Sequence, residues 1–218
     1  VKAKFNTLGL QLVMLTKLQL TSGTDNWFVQ VYLYNSNLYF EVSSTGGAIG
    51  AWTDQLLHSF VYSTSTWYNF TFVIKNNTHM KIYTDGVQVA VKLTTESVRF
   101  GAHDISTMAE VNGNNKTDGY VTLPYHIDRA LTASEVGDLV NASDDPLCFG
   151  QIPTAISDDI YYAPRLSNWD TNVGGETTDQ SGNGIITTPV GAPTYTDQGL
   201  TVECGGGPST TTTYPLST

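Results

Sequence analysis

The most informative stretch of the sequence is residues 80–91, Met80-Lys81-Ile82-Tyr83-Thr84-Asp85-Gly86-Val87-Gln88-Val89-Ala90-Val91. Apolar side chains alternate with other residues on both sides of Asp85-Gly86, and a period of two is typical of half-buried strands. An Asp-Gly pair readily adopts the positive φ angles that a type I′ turn requires at both central positions. The stretch therefore predicts a β-hairpin that turns at Asp85 and Gly86.

The same alternation recurs through the first half of the chain. Its apolar members are Leu8, Leu10, Leu12 and Met14; Val29, Val31 and Leu33; Leu38, Phe40 and Val42; and Tyr68, Phe70, Phe72 and Ile74. Clusters of Gly, Ser, Asn and Asp separate these runs, as the loops of an antiparallel sandwich do. The sequence thus predicts an all-β chain folded as an antiparallel β-sandwich.

One short helix interrupts this pattern, and we place it at residues 132–141. Thr132-Ala133-Ser134-Glu135 is a capping box, in which the Thr132 hydroxyl caps the backbone and Glu135 reaches back to the Thr132 amide. The apolar face of the helix would consist of Val136, Leu139 and Val140.

Charge limits the class of partner. The 218 residues contain 10 Lys and Arg against 20 Asp and Glu, a net charge of −10. Such a surface disfavours a nucleic-acid backbone or an anionic membrane and suits solubility or a cationic ligand. No apolar run approaches the ~20 residues of a membrane span, so we expect no membrane insertion.

Two motifs resemble the laminin-G-like, concanavalin A-like jelly-roll family. The Trp-initiated run 67–73 followed by residues 80–87 of the hairpin resembles a strand pair of that family, and residues 119–136 are similar to its closing strand and the turn into a short helix. The resemblance covers about residues 1–145 and implies a concanavalin A-like jelly roll. Neither motif is catalytic, and this architecture serves lectins, enzymes and capsid proteins alike.

The motifs divide the chain into three parts. Residues 1–149 would form the jelly-roll core, residues 150–204 resemble the opening strands of such a domain, and residues 205–218 are a Gly/Thr-rich tail or linker. Three explanations for the late opening strands stay open. They could close their own permuted sandwich, begin a tandem neighbour, or be donated to another copy in a homo-oligomer, since an unpaired sheet edge accepts a strand.

Catalysis is not expected from the sequence. Glycosidases need two carboxyl groups held on either side of the scissile bond, and the chain has no triplet of acids spaced by single residues. The four histidines have no metal-site spacing, and no nucleophile elbow occurs. We therefore predict no catalytic residues and no enzyme activity, and a glycoside hydrolase remains a remote alternative that requires distant acids to converge.

A sugar-binding site uses exposed aromatic rings that stack on the sugar, and we expect such rings in polar loops. Trp52 follows a Gly-rich loop, and Trp169 with Asp170 lies in the run Asn168-Trp169-Asp170. These three residues are the ligand-binding candidates of the sequence.

Calcium is the one cofactor that the sequence suggests. Many laminin-G-like domains hold Ca²⁺ at a sheet rim, and Asp179 and Asn183 supply hard oxygen ligands from a Gly-rich loop. Cys148 and Cys204 are the only cysteines and could form a disulfide in an oxidising compartment.

Together these observations favour a non-catalytic recognition module that binds a glycan or a surface protein through its jelly-roll loops. We expect it outside the cell, on the cell surface or on a virion surface. The alternative is a structural subunit, a virion decoration or capsid protein or a filament protein, assembled through its C-terminal strands.

Overall fold

The structure, a computed structural model, describes residues 1–9, 11–19, 26–43, 53–97, 104–107, 118–122, 125–142, 152–162, 164–165 and 178–179. Within these residues the elements are β1 (Lys2–Phe5), β2 (Gln11–Gln19), β3 (Asn26–Tyr34), β4 (Asn37–Ser43), β5 (Asp54–Ser59), β6 (Trp67–Lys75), β7 (His79–Thr84), β8 (Val87–Leu93), β9 (Asp104–Thr107), β10 (Gly119–Thr122), β11 (His126–Ile127), α1 (Ala133–Ala142), α2 (Thr154–Ser157), β12 (Ile160–Tyr162), β13 (Pro164–Arg165) and β14 (Thr178–Asp179).

Ten of these strands form two five-stranded sheets. Sheet 1 has the order β10-β1-β6-β7-β8, and sheet 2 has the order β5-β4-β3-β2-β9. Neighbouring strands within both sheets run antiparallel. Two shorter antiparallel pairs, β11 with β12 and β13 with β14, accompany them. The predicted antiparallel β-sandwich is confirmed.

The first hydrophobic core lies between the two sheets. Alternate residues of β3, β4, β6 and β7 point inward, and Phe40 of sheet 2 meets Phe72 of sheet 1 edge to face at 5.5 Å between ring centroids. Side chains of this size each contribute roughly 1.5–3 kcal/mol when fully buried. The buried members are Ala3, Phe5, Val29, Val31, Leu33, Leu38, Phe40, Val42, Leu56, Tyr62, Phe70, Met80 and Ile82.

A second core covers the opposite face of sheet 1. Val73 of β6 and Tyr83 of β7 point away from the sandwich and pack against α1, α2 and β12. The strands β6 and β7 are therefore buried on both faces, because their odd and even positions enter different cores. The remaining buried members of this second core are Leu131, Val136, Leu139, Ile152, Ile156 and Ile160.

The hairpin predicted at Asp85-Gly86 is present between β7 and β8. Asp85 and Gly86 have φ angles of 49° and 79°, as a type I′ turn requires. The Asp85 carboxylate accepts a 2.7 Å hydrogen bond from the Asn69 amide, which ties the turn to the start of β6.

The predicted helix is also confirmed, at Ala133–Ala142 instead of 132–141. The Thr132 amide donates to Glu135 Oε2 at 2.8 Å, and the Glu135 amide donates to Thr132 Oγ1 at 3.3 Å, so the capping box is closed in both directions. The four-residue helix α2 is not foreseen by the sequence, since it is too short to show a period.

One strand begins later than the alternation predicts. The run from Leu8 suggests a strand, yet β2 starts at Gln11 and Leu8 is 70% exposed. Gly9 has a φ of 137°, which takes the chain out of the extended conformation. The Gly9 amide donates to the Tyr62 hydroxyl at 3.0 Å, so this bend is fixed against the core.

Arg129 joins α1 to the segment that follows it. Its guanidinium donates to both Glu135 carboxylate oxygens at 3.0 and 2.7 Å, to Asp159 Oδ2 at 2.5 Å and to the Ala155 carbonyl at 2.8 Å. The ion pair with Arg129 and the Thr132 hydrogen bonds lower the pKa of Glu135 from 4.5 to about 2. The ion pair between Arg129 and Glu135 stabilises the second core only while the Glu135 carboxylate is ionised.

We predict that Glu135→Gln lowers the free energy of unfolding by about 1–2 kcal/mol at pH 7, because it removes the ion pair with Arg129 and leaves a neutral acceptor in the capping box. Glu135 has a depressed pKa, so its contribution is full above pH 4.5 and is lost as the pH falls towards 2. Urea unfolding should therefore show that the difference in free energy of unfolding between Glu135→Gln and the unaltered chain shrinks as the pH falls from 4.5 to 2. Asp138→Asn, an exposed change on the same helix, is the control. A constant difference down to pH 2 would show that the charge is not responsible.

Two glycines near each other should respond to alanine with opposite signs. Gly86 requires its positive φ, so Gly86→Ala should destabilise by about 1 kcal/mol through backbone strain. Gly137 lies in α1, and a Cβ added there would meet no atom within 4 Å, so Gly137→Ala should stabilise by about 0.5–1 kcal/mol through helix propensity. Melting temperatures of both variants measure this, and a Gly86→Ala variant at least as stable as the unaltered chain would contradict the assignment of the turn.

Candidate functional site

The outer face of sheet 2 is the candidate binding surface. The outer face of sheet 1 is occupied around Val73 and Tyr83 by the second core, whereas several outward side chains of β3, β4 and β5 are exposed. We call this surface the tyrosine face. Its members are Gln30, Tyr32, Tyr34, Asn37, Tyr39, Glu41, Gln55, Leu57 and Ser59.

Strand register arranges the tyrosine face in three rows across β3, β4 and β5. The rows are Gln30, Glu41 and Gln55; Tyr32, Tyr39 and Leu57; and Tyr34, Asn37 and Ser59. Directly opposed side chains in an antiparallel sheet lie close enough to interact. In each row, the side chain on β4 therefore lies between a side chain on β3 and one on β5.

The middle row contains a stacked aromatic pair. The rings of Tyr32 and Tyr39 lie 4.5 Å apart between centroids and are 5° from parallel. The Tyr32 hydroxyl donates to Glu41 Oε1 at 3.0 Å, and the Gln55 side-chain amide donates to the same oxygen. These contacts hold the Glu41 carboxylate in one orientation.

Glu41 is the most unusual residue of the tyrosine face. It is only 3% exposed although it lies on the outward side of β4, and its Oε2 has no hydrogen-bond partner among the residues described. A buried carboxylate oxygen without a donor costs free energy. This atom has almost no accessible surface, so a hydroxyl or N–H group of a ligand would reach it only after a covering side chain moved.

The ionisation state of Tyr32 follows from this environment. Burial raises the pKa of Tyr32, and the negative charge of Glu41 beside it raises the pKa further. The hydroxyl therefore remains protonated and continues to donate to Glu41. Beside this fixed pair, Tyr34 and Leu57 are 45% and 48% exposed, so the face combines apolar surface with anchored polar groups.

A cleft at the corner of the sandwich is a second concave feature. It has a volume of about 570 Å³ and lies where β5 of sheet 2 approaches the end of β8 of sheet 1. We call it the rim cleft. It is lined by Thr53, Asp54, Asn77, Thr78, Leu93, Thr94, Thr95 and Glu96.

The rim cleft brings together two acids, Asp54 and Glu96, that are far apart in the sequence. Burial alone would raise the pKa of Asp54, but hydrogen bonds from Lys92, Thr94 and the Gln55 amide lower it below its usual value. A glycosidase needs one carboxyl group whose pKa is raised so that it can donate a proton. Asp54 has the opposite shift and does not meet that requirement.

The ligand candidates from the sequence cannot be compared with these surfaces. Trp52, Trp169, Asp170 and Asn183 lie outside the described residues, as do Cys148 and Cys204. Asp179 lies in β14, opposite Pro164. The roles suggested for all of them stay predictions.

Metal binding finds no support in the part of the chain that the structure describes. These residues contain no group of three His, Cys, Asp or Glu that could hold a metal ion, and the calcium site suggested at Asp179 and Asn183 stays a prediction. Neither described helix has the length and apolar character needed to cross a membrane.

Sequence reasoning missed Tyr32, Tyr39, Glu41 and Gln55. The signal was present in the alternation itself, because the residues between the buried positions of β3 and β4 are tyrosines and a glutamate instead of small polar residues. Tyrosines repeated on the outward side of two adjacent strands indicate a candidate binding surface.

Two solved structures are similar to this chain at low identity, and the one with the higher TM-score shares its fold. A proposed carbohydrate binding protein from Bacteroides ovatus has a TM-score of 0.58 and 14% identity, over 86% of this chain and 49% of that one. The CBM40 domain of the Ruminococcus gnavus IT-sialidase, bound to α2,3 sialyllactose, has a TM-score of 0.45 and 13% identity, over 64% of this chain and 79% of that one. This chain thus spans about half of the Bacteroides protein. None of the curated proteins compared with the chain matches it.

A family comparison agrees with the sandwich described above. The family model described as Laminin_G_3, concanavalin A-like lectin/glucanases superfamily, matches residues 6–137. This range contains most of both sheets and the start of α1. The chain belongs to the concanavalin A-like lectin/glucanases superfamily.

Proposed function

We propose that this chain is a non-catalytic glycan-binding module whose ligand lies on the tyrosine face. The observation that carries the proposal is the buried Glu41 carboxylate, held by Tyr32 and Gln55 and with one oxygen unpartnered among the described residues. Once a covering side chain moves aside, this oxygen would accept a hydrogen bond from a sugar hydroxyl, and a charge-assisted hydrogen bond is about twice as strong as a neutral one.

The other members of the face suit the same class of ligand. Sugar rings have apolar C–H faces and polar edges, so they pack on aromatic and apolar side chains while polar groups fix their orientation. Tyr34 and Leu57 supply exposed apolar surface, and Gln55 supplies an exposed amide. The negative charge at Glu41 favours a neutral or cationic sugar over an acidic one.

Family membership supports the proposal without specifying the ligand. The superfamily contains lectins and glucanases, and the Bacteroides ovatus protein of similar fold is described as carbohydrate binding. We propose an extracellular or surface location for the same reason. The alternative, a structural subunit assembled through residues 150–204, stays a second proposal; within this chain, β12 of that segment pairs with β11.

The proposal predicts that Glu41→Gln weakens glycan binding without loss of stability. The glutamine side chain keeps an oxygen that accepts from Tyr32 and Gln55, but the substitution removes the buried charge that lacks a donor. We expect affinity for the best ligand of a glycan array to fall by about tenfold or more, the effect of one charge-assisted hydrogen bond, while the melting temperature stays equal or rises. Calorimetric titration and thermal melting measure the two quantities.

Tyr34→Ala tests the apolar part of the face. Removing this exposed ring should weaken the same glycan several-fold, whereas Val61→Ala, which shortens an 82% exposed side chain outside the face, should leave affinity unchanged. The proposal fails if no glycan binds, or if Glu41→Gln and Tyr34→Ala both bind as the unaltered chain does. Release of reducing sugar from the bound glycan would show instead that the chain is an enzyme.

A further inference from the structure

The strands of sheet 1 are basic, although the chain as a whole is acidic. The chain has 10 Lys and Arg against 20 Asp and Glu. The five strands of sheet 1, by contrast, contain no aspartate or glutamate, and their lysines are Lys2, Lys4, Lys75, Lys81 and Lys92. A cluster of basic side chains on this sheet is therefore a distinctive surface of the molecule.

Three basic side chains lie together on the outward side of β6 and β7. Lys75 is directly opposite His79, and Lys81 is the next residue of β7 on the same face. Met80 and Ile82 alternate with them on β7 and are buried in the first core. All three basic side chains therefore point away from that core.

These three side chains form no ion pair with an acid among the described residues. The ion pairs of that part of the chain involve Lys92 and Arg129 instead. Burial lowers the pKa of His79, and the positive charges of Lys81 and Lys75 lower it further, so the three groups are close enough to interact. Positive charges held this close repel one another, and an anionic partner would relieve the repulsion.

Two exposed aliphatic side chains of β8 continue the same rows. Val91 is paired with Lys81 and Leu93 with His79, and the two side chains are 53% and 81% exposed. β8 is the last strand in the order of sheet 1. We call this surface the basic edge, and its members are Lys75, His79, Lys81, Val91 and Leu93.

The backbone of Val91 and Leu93 faces the open side of β8. Just beyond the β7–β8 pair, the Thr94 amide donates to the Thr78 carbonyl at 3.3 Å. In an antiparallel pair, the N–H and C=O groups of alternate residues point to opposite sides of the strand. Those of Val91 and Leu93 therefore point away from β7, on the side of β8 where no described strand pairs.

We propose that the basic edge binds an extended acidic segment of a partner protein, which adds to sheet 1 as a strand antiparallel to β8. Glutamates opposite Val91 and Leu93 exchange backbone hydrogen bonds with them. The methylene groups of these glutamates lie along the two aliphatic side chains. Their carboxylates reach across β8 to Lys81 and to the ring N–H of His79.

Other anionic partners suit the basic edge less well. A small ligand usually binds in a concave pocket, and an acidic polysaccharide has no peptide N–H and C=O groups to pair with β8. A nucleic acid or an anionic membrane presents a wide array of charge that also meets the rest of a chain whose net charge is −10. A second copy that paired through its own β8 would bring two basic edges together.

The test is a titration of the isotope-labelled chain with two blocked peptides of about six residues, the usual length of a strand. In one peptide glutamate alternates with threonine, and in the other glutamine replaces every glutamate. We expect the glutamate peptide to shift the amides of residues 75–81 and 90–95. The glutamine peptide should bind there at least about fivefold more weakly, because it lacks the ion pairs. Raising the salt concentration should reduce this preference.

Methylation of peptide nitrogens tests whether the peptide pairs as a strand. In the antiparallel arrangement, the residues opposite Val91 and Leu93 are the glutamates, and their N–H groups donate to β8. Methylating the glutamate nitrogens should therefore abolish binding, whereas methylating the threonine nitrogens should leave most of it. Equal binding of the two methylated peptides would overturn the proposal. Both peptide comparisons use the unaltered chain and do not depend on any variant folding.

Lys81→Gln should weaken binding of the glutamate peptide about threefold and leave the glutamine peptide unchanged. Lys2→Gln, the same change at a half-buried lysine on β1 of the same sheet, should alter neither.

The proposal is wrong if the glutamate peptide does not bind, or if the two peptides bind equally. Tighter binding of a dextran sulfate oligosaccharide at these amides would assign the basic edge to a polysaccharide instead. Dimerisation that broadens the same amides without peptide would assign it to a second copy. Shifts on the tyrosine face report on the glycan proposal separately.

Discussion

The organisation of this molecule depends on two-sided burial of the β6–β7 pair. Phe70 and Ile82 enter the core between the sheets, while Val73 and Tyr83 enter the core beneath α1 and α2. Because successive side chains of a strand point to opposite faces, one hairpin supplies both cores. The helical layer therefore covers part of sheet 1, whereas several outward side chains of β3, β4 and β5 in sheet 2 are exposed.

The same alternation that builds the cores also builds the candidate site. Inward Leu38, Phe40 and Val42 fix β4 in register, and this places Tyr39 and Glu41 on the outward side between their cross-strand partners. The position of the Glu41 carboxylate is thus set by packing on the other side of the strand. A site held by a rigid sheet loses little freedom on binding, which favours affinity.

Features formed by residues close in the sequence could be predicted from it, whereas contacts between distant segments could not. Asp85-Gly86 and the Thr132–Glu135 capping box act within a few residues, so their geometry follows from residue type. Arg129 is different, because its partner Asp159 comes from a distant segment that the fold brings close. Glu41 was missed since a glutamate at an outward position is expected to be exposed, and only the neighbouring tyrosine and glutamine side chains explain its burial.

The central claim is that glycans bind on the tyrosine face, and mapping the bound ligand by amide chemical shifts tests it most directly. Titration of the labelled chain with the best glycan of an array should shift amides of β3, β4 and β5 around residues 32, 39, 41 and 55. The outer face of sheet 1 should remain unperturbed around Val73 and Tyr83. Shifts confined to that region, to the rim cleft or to loops outside the sheet would contradict the account.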